Sequence, residues 1–143
     1  MEIIVGTIVL KDNKILMIRE AKKDCYKKWS FPAGHLEKNE TTEEGAKRET
    51  FEESGCKVEL KKLISIFIKN TQKVNAMIIY YLADLIDEDV IYKTDEILEK
   101  KWLSIDEIKK MNKDDIRNYD IVEQIIKNIE LRKTYSLEII NNI

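Results

Sequence analysis

The chain has 143 residues, of which 43% are hydrophobic and 36% are charged, so a single domain over residues 1–143 is expected. The net charge of −2 argues against a basic surface for duplex nucleic acid. The longest apolar run, residues 76–83, is far shorter than the roughly 20 residues of a membrane-spanning helix, so no membrane partner is expected. The two cysteines and the lack of a signal-peptide pattern predict a cytoplasmic protein with reduced thiols.

The first third of the chain predicts a β-hairpin followed by a loop. Strands are predicted at residues 3–10 and 14–19. Asp12 and Asn13 between them suit a tight turn. Residues 21–28 read as a polar loop, and residues 29–34 as a short extended segment because Pro32 disfavours helix in the residue before it.

A helix is predicted from Thr41 to Ser54. Thr41 and Glu44 have the spacing of a capping box, and Gly55 stands where helices commonly end. Further strands are predicted at residues 58–69, 74–86 and 98–103.

The end of the chain predicts two more helices. Ser104 caps a short one, and a longer one runs from about residue 114 to 132 with an apolar stripe. The tail, residues 136–143, leaves three alternatives open: a docked strand, a last helical turn or a dimer contact. Strands on both sides of an internal helix, with helices closing the chain, predict an α/β fold with a mixed sheet covered on both faces.

Three glutamates share one side of the helix predicted after Thr41. At about 100° per residue, Glu49, Glu52 and Glu53 fall within an arc of roughly 100°. Three carboxylates this close destabilise a bare helix, whereas a divalent cation makes the arrangement favourable. Hard oxygen ligands suit Mg²⁺ or Mn²⁺, with substrate phosphates as further ligands. A solvated helix face is the alternative interpretation.

The spacing around these glutamates resembles the Nudix box, the signature of the Nudix hydrolases. Gly34, five residues, Glu40, seven residues and then "RETFEESGC" match seven fixed positions across twenty-three residues, 34–56. Thr50 departs from the family's bulky aliphatic residue, and Cys56 stands at the last apolar position. Both departures concern packing, because no carboxylate is missing.

The resemblance implies a Nudix-type α/β/α sandwich with a mixed sheet and a hydrolase that uses Mg²⁺ or Mn²⁺. The implied metal ligands are the backbone carbonyl of Gly34 and the carboxylates of Glu49, Glu52 and Glu53. Glu40 and Arg48 are implied to be structural, steadying the loop and Glu52.

One glutamate acts as the general base in such enzymes, sometimes from outside the box. Glu49 and Glu96 are the candidates here, and Glu53 is expected to be needed for catalysis too. Asp95 and Glu99 stay open as alternatives because they neighbour Glu96. A solvated turn residue is the other interpretation of Glu96.

Two further residues are candidates for substrate contacts. Arg19 ends a predicted strand and is placed to reach a phosphate, and Trp29 can stack on a base. A surface arginine and a core tryptophan are the alternative interpretations. His35, the only histidine, has no second residue for a triad or a zinc site and is interpreted as a polar turn residue.

The predicted function is metal-dependent cleavage of the pyrophosphate bond of a nucleoside diphosphate linked to another moiety. A nucleoside triphosphate, a nucleotide sugar or another small diphosphate would each serve as substrate. A non-catalytic nucleotide-binding module with the same fold is the first alternative, and a plain interaction domain with an acidic helix is the second. The apolar tail also predicts a possible homodimer.

Overall fold

The computed structural model describes all residues from Met1 to Ile143 and contains one seven-stranded sheet with three α-helices. The strands are β1 (Glu2–Lys11), β2 (Lys14–Glu20), β3 (Trp29–Ser30), β4 (Ala33–His35), β5 (Cys56–Asn70), β6 (Asn75–Glu88) and β7 (Ile97–Leu103). The helices are α1 (Thr42–Ser54), α2 (Ile105–Lys110) and α3 (Tyr119–Glu130). Short 3₁₀ turns lie at Lys23–Cys25, Lys113–Asp115 and Leu137–Ile139.

The sheet is mixed. Its main path runs β3-β2-β1-β6-β5, while β4 pairs with β1 and β7 pairs with β2. The central strands β1 and β6 are parallel, and the other pairs are antiparallel. The predicted hairpin between β1 and β2 is confirmed, with Asp12 and Asn13 at φ values of 50° and 61°, as a two-residue turn between twisted strands requires.

Helices cover both faces of the sheet. On one face, α2 and α3 contribute Ile108, Val122, Ile125 and Ile126 to the largest apolar cluster, which also contains Tyr80. On the other face, Ala46 of α1 packs in a cluster with Val5, Leu63, Ile79 and Tyr81. The neighbours Tyr80 and Tyr81 therefore serve opposite faces, as strand alternation requires. The predicted α/β/α arrangement is confirmed.

The last helix is shorter than predicted. The expected helix from residue 114 to 132 is a 3₁₀ turn at Lys113–Asp115 followed by α3, which begins only at Tyr119. Asn118 adopts a left-handed conformation with φ of 51°, which helical residues do not have, so the two segments cannot form one helix. The apolar stripe of α3 is buried as predicted.

The tail folds back on the sheet. Tyr135 exchanges two backbone hydrogen bonds with Leu63 of β5, at 2.9 and 2.8 Å. Leu137 and Ile140 then pack against the apolar cluster on the α1 face, around the 3₁₀ turn. The Asn142 amide donates to the Glu43 carboxylate at 3.0 Å. Residues 136–143 thus contain a 3₁₀ turn and no strand, and the single backbone bridge to β5 lies just before them, at Tyr135; the homodimer stays a prediction.

Two further features concern the expectations about membrane helices and disulfides. None of the helices combines the length and the apolar character that crossing a bilayer would require. Cys25 and Cys56 are both buried and free, so no disulfide joins them.

Candidate active site

The helix α1 is fixed at both ends by its own sequence. Thr41 Oγ1 accepts from the Glu44 N–H at 3.1 Å, and the Glu44 carboxylate accepts from the Thr41 N–H at 3.2 Å, which completes the predicted capping box. Gly55 ends the helix at φ of 71°. The fully buried Thr50 donates to the Ala46 carbonyl at 2.7 Å, so this departure from the box is satisfied within the helix.

Arg48 joins the helix to the loop before it. Its guanidinium donates from Nη2 and Nε to the two carboxylate oxygens of Glu40, at 2.7 and 3.0 Å. Its Nη1 donates to Glu49 at 2.9 Å and to Glu52 at 3.2 Å, and its Nη2 donates to the His35 carbonyl at 3.0 Å. The hydrogen bond from Arg48 lowers the pKa of Glu40 below its ordinary value. This geometry suits the structural roles predicted for Glu40 and Arg48.

Glu49 lies directly against Gly34. A Cβ added at Gly34 would overlap the Glu49 carboxylate, so only glycine leaves room for this contact. Burial raises the pKa of Glu49, while the neighbouring Arg48 opposes that shift. The loop-helix-loop of residues 34–56 therefore brings Gly34 and Glu49 together, as the resemblance to the Nudix box implied.

Glu53 points into the protein, away from Arg48. Its side chain is 3% exposed, and Oε1 accepts from the Ala33 N–H at 2.8 Å. Burial first, and the nearby Glu20 carboxylate second, raise the pKa of Glu53 to about 9. Glu52, in contrast, is 53% exposed and bonds only to Arg48 among the side chains around it.

The three glutamates lie within one arc of α1, with Glu49 and Glu52 on its outer side beside Arg48 and Glu53 on its inner side, and they do not form a closed set of metal ligands. No three histidine, cysteine or acidic side chains in the chain stand close enough to form a ready metal site. Arg48 Nη1 contacts both Glu49 and Glu52. The donors are nevertheless hard oxygens, and one buried oxygen, Glu20 Oε2, has no hydrogen-bond partner at all. This unbalanced negative charge fits a divalent cation.

The predicted substrate residues contact each other. The Arg19 guanidinium lies 5.7 Å from the ring of Trp29 and donates to Glu99 at 3.1 Å and to the Lys27 carbonyl at 3.0 Å. Trp29 is buried, which leaves little of its ring for a base. Neither residue lines the cavity beside Gly34. Their roles in substrate binding stay predictions.

The candidates for an external base lie on the loop before β7. Glu96 is exposed, and its backbone carbonyl accepts from the Ala21 N–H at 2.9 Å. Asp95 and Glu99 line a cavity together with Glu53, whereas Glu96 does not. The structure thus brings Asp95 and Glu99 near the cluster on α1, and Glu96 stays a prediction.

Two residues near the site were missed by sequence reasoning. Glu20, at the end of β2, and Arg117, just before α3, line a cavity of about 90 Å³ together with Gly34 and Tyr80. The sequence did contain an indication for Glu20, because it follows the apolar residues 15–18 in the same strand, at a position whose side chain faces the protein interior. Arg117 had no signal, since its place depends on how the chain turns before α3.

A third residue, Tyr92, holds the loop that carries Asp95 and Glu96. Its hydroxyl donates to the Glu52 carbonyl at 2.8 Å, and its ring lies 5.7 Å from that of Phe51. The loop between β6 and β7 is therefore tied to the C-terminal turn of α1.

Comparisons with known proteins agree with this geometry. A solved NUDIX hydrolase from Nitrosomonas europaea superimposes with a TM-score of 0.89 and 26% identity, covering 99% of this chain and 97% of that one. The human protein named 8-oxo-dGDP phosphatase NUDT18 is 34% identical over 64 residues, which are 45% of this chain and 20% of that protein. A Methanocaldococcus jannaschii protein named ADP-ribose pyrophosphatase is 27% identical over 109 residues, 75% of this chain and 64% of that one.

The curated relatives are mostly longer than this chain. It spans 32%, 47% and 20% of the length of three of them. The family itself is shown over most of the chain, because a family model described as the NUDIX domain matches residues 2–125. Together with the box at residues 34–56 and the sandwich around it, this match establishes that the chain belongs to the NUDIX domain family.

Proposed function

We propose that this protein is a metal-dependent pyrophosphohydrolase that cleaves the P–O–P link of a nucleoside diphosphate joined to another moiety. The observation that carries the proposal is the buried Glu53 carboxylate on α1, next to the Gly34 loop and the half-buried Glu49. The names of two relatives specify 8-oxo-dGDP and ADP-ribose, and both of these compounds contain a diphosphate group. The diphosphate, rather than one base or sugar, is therefore the substrate class that we assign.

The metal ligands that we propose are the Gly34 carbonyl and the carboxylates of Glu49, Glu52 and Glu53. Bound there, Mg²⁺ or Mn²⁺ would neutralise phosphate charge and make a bound water more acidic. Arg48 would hold Glu49 and Glu52 in place through its 2.9 and 3.2 Å hydrogen bonds. The Ala33 N–H would orient Glu53 by its 2.8 Å bond to Oε1.

In the proposed reaction, water attacks one phosphorus atom and the bond from that phosphorus to the bridging oxygen breaks. The bridging oxygen leaves with the other phosphate, and a carboxylate takes the proton from the attacking water. Glu49 and Glu96 remain our candidates for this base, with Asp95 and Glu99 as alternatives. Asp95 gains support because it lines a cavity with Glu53.

Substitution of Glu53, together with a substrate panel, distinguishes between an enzyme and a non-catalytic binding module with the same fold. Phosphate release from a panel of nucleoside triphosphates, nucleotide sugars and small diphosphates should require added Mg²⁺ or Mn²⁺. Glu53→Gln should lower this release on the order of 10²-fold or more, because it removes a proposed ligand without changing side-chain volume.

The matched control is Glu130→Gln, which removes one negative charge from an exposed pair with Lys109. This control should keep its activity. Parent protein that binds nucleotides but releases no phosphate from any member of the panel would instead identify a binding module. Full activity in Glu53→Gln would refute our assignment of the site.

Two wider assignments accompany this function. We place the reaction in the cytoplasm, supported by two cysteines that are buried and free. A homodimer stays a prediction, and sedimentation of the full chain would test it.

A further inference from the structure

Glu20 has an unusual environment for a charged residue. It ends β2 and is 2% exposed. Its Oε1 is 3.4 Å from Arg117 Nη1, and its Oε2 has no hydrogen-bond partner. A buried carboxylate oxygen without a partner is costly, because the desolvated charge is not compensated. Such a residue in a native fold calls for a ligand or a partner.

Glu53 of α1 is connected to the same part of the protein. It is 3% exposed and accepts at 2.8 Å from the N–H of Ala33, and Ala33 lines a cavity together with Glu20. Two cationic side chains lie near Glu20: Arg117, which is 42% exposed and 3.4 Å from Oε1, and Lys22, which lines the same cavity. Neither donates a hydrogen bond to Oε2, so the compensation is only partial.

The space beside Glu20 can hold a cation with some of its water. Glu20 lines a cavity of about 90 Å³, and Gly34 lines the same cavity. One water needs about 10–15 Å³ by this measure, so the volume accommodates several waters or an ion with part of its hydration shell. Glu20 and the proposed metal ligand Gly34 thus face one space.

We propose that Glu20 is a further ligand of the divalent cation, reaching it with the free Oε2 directly or through one water. This inference rests on the proposed function, because it adds a carboxylate from β2 to the set on α1. Glu20 lies fourteen positions before the first residue of the box, so the box assigns it no role. Its placement depends on the strand register that brings the end of β2 beside Gly34.

Titration with Mn²⁺ alone tests this assignment without any substrate. Full-length protein is freed of metal by chelation, and free Mn²⁺ is followed by electron paramagnetic resonance. The Kd for Mn²⁺ should rise about 10-fold or more in Glu20→Gln, as for other residues that support a bound metal. Glu130→Gln, which removes the same charge from the surface, should stay within about 2-fold of the parent.

Glu53→Gln in the same titration separates the two proposals. If Glu53→Gln weakens Mn²⁺ binding and Glu20→Gln does not, the role of Glu20 is refuted and the proposed function stands. If neither substitution changes the Kd, the metal site on α1 is refuted as well. Weaker Mn²⁺ binding in both variants supports both the proposed function and the role of Glu20.

A second variant covers the case in which Glu20→Gln does not fold. Circular dichroism of each variant checks the fold before titration. Glu20→Asp keeps the charge but withdraws it by one methylene, so its Kd for Mn²⁺ should also rise. An unchanged Kd in folded Glu20→Asp would overturn the inference.

Discussion

The carboxylates on the outer and on the inner side of the acidic arc of α1 have different partners. On the outer side, Glu49 and Glu52 share Arg48, and the same guanidinium binds Glu40 through both of its oxygens. On the inner side, Glu53 has a single hydrogen bond from Ala33, and Glu20 is close enough to raise its pKa. The outer carboxylates share one guanidinium of the protein itself. On the inner side Glu20 is paired only at the long distance of 3.4 Å with Arg117, and Glu53 has no ion pair, so the inner side is where a cation would gain most.

The comparison also separates stability from function. Pairing with Arg48 stabilises the loop and helix whether or not a metal is bound. The inner carboxylates cost free energy in the protein alone, and binding of the proposed cation would lower this cost. Substitutions on the two sides should therefore differ in whether they change stability, activity or both.

Among these substitutions, the largest loss of activity is expected at Gly34, which contacts Glu49 of the outer side and lines a cavity with Glu20 of the inner side. Gly34→Ala places a methyl group on the Glu49 carboxylate and should lower activity on the order of 10²-fold, because a displacement of about 1 Å in a site has that effect. The displaced atoms belong to the end of a flexible side chain, so Tm should change little. Phosphate release and thermal unfolding of the same samples measure both effects.

A double-mutant cycle sharpens this prediction. If Gly34→Ala acts through Glu49, it should have little further effect on activity in a Glu49→Ala background. A full additional loss in that background would show that the methyl group acts elsewhere.

A smaller effect is expected from Arg48→Lys, which disrupts the outer side alone. Lysine keeps the positive charge but cannot bind both oxygens of Glu40 at once. We expect a loss of about 1–3 kcal/mol in the free energy of unfolding and about a 10-fold loss of activity. Denaturant unfolding and phosphate release measure these changes.

Arg132→Lys is the control for this change, since Arg132 is exposed near the chain end and should tolerate lysine. If Arg48→Lys lost activity while its unfolding free energy stayed that of the parent, Arg48 would act on the substrate rather than on the loop.

The remaining effect is a pH dependence of stability that comes from the inner side. Burial and Glu20 raise the pKa of Glu53 from 4.5 to about 9 in the folded state. The folded state thus holds a proton that the unfolded state has released, and stability falls as pH rises from about 4.5 towards 9. Metal-free parent protein should lose several degrees of Tm between about pH 5.5 and about pH 8.5.

Glu53→Gln should lose less Tm over the same pH range, because its amide does not titrate. Glu40 and Glu88 have lowered pKa values, so they titrate below this pH range and do not affect the comparison of Tm values. A parent Tm that rises with pH would contradict the buried, protonated state of Glu53.

The parts of this fold that follow local rules were predictable from the sequence. The β1–β2 hairpin, the capping box of α1 and its end at Gly55 each depend on a few adjacent residues with strong conformational preferences. The clustering of three glutamates was predictable because helix geometry places positions 49, 52 and 53 within one arc of α1. Their connection to Gly34 came from the resemblance to the Nudix box.

The parts that depend on tertiary placement were not predictable. The start of α3 was set too early, because nothing in the local pattern requires Asn118 to adopt a left-handed conformation. Glu20 reaches the site only through the pairing of β2 within the sheet. Trp29 had two interpretations, a stacking contact for a base and a core residue. The structure buries it, and its role in substrate binding stays a prediction.

The returning tail has a practical consequence for protein engineering. Leu137 and Ile140 shield the apolar layer beneath α1, and Asn142 reaches Glu43 in the first turn of that helix. A shortened version that stopped after α3 would uncover Leu63 and its neighbours and invite aggregation during purification. Crystallisation trials should therefore retain the chain through Asn142, even though these last residues lie far from the catalytic chemistry in sequence.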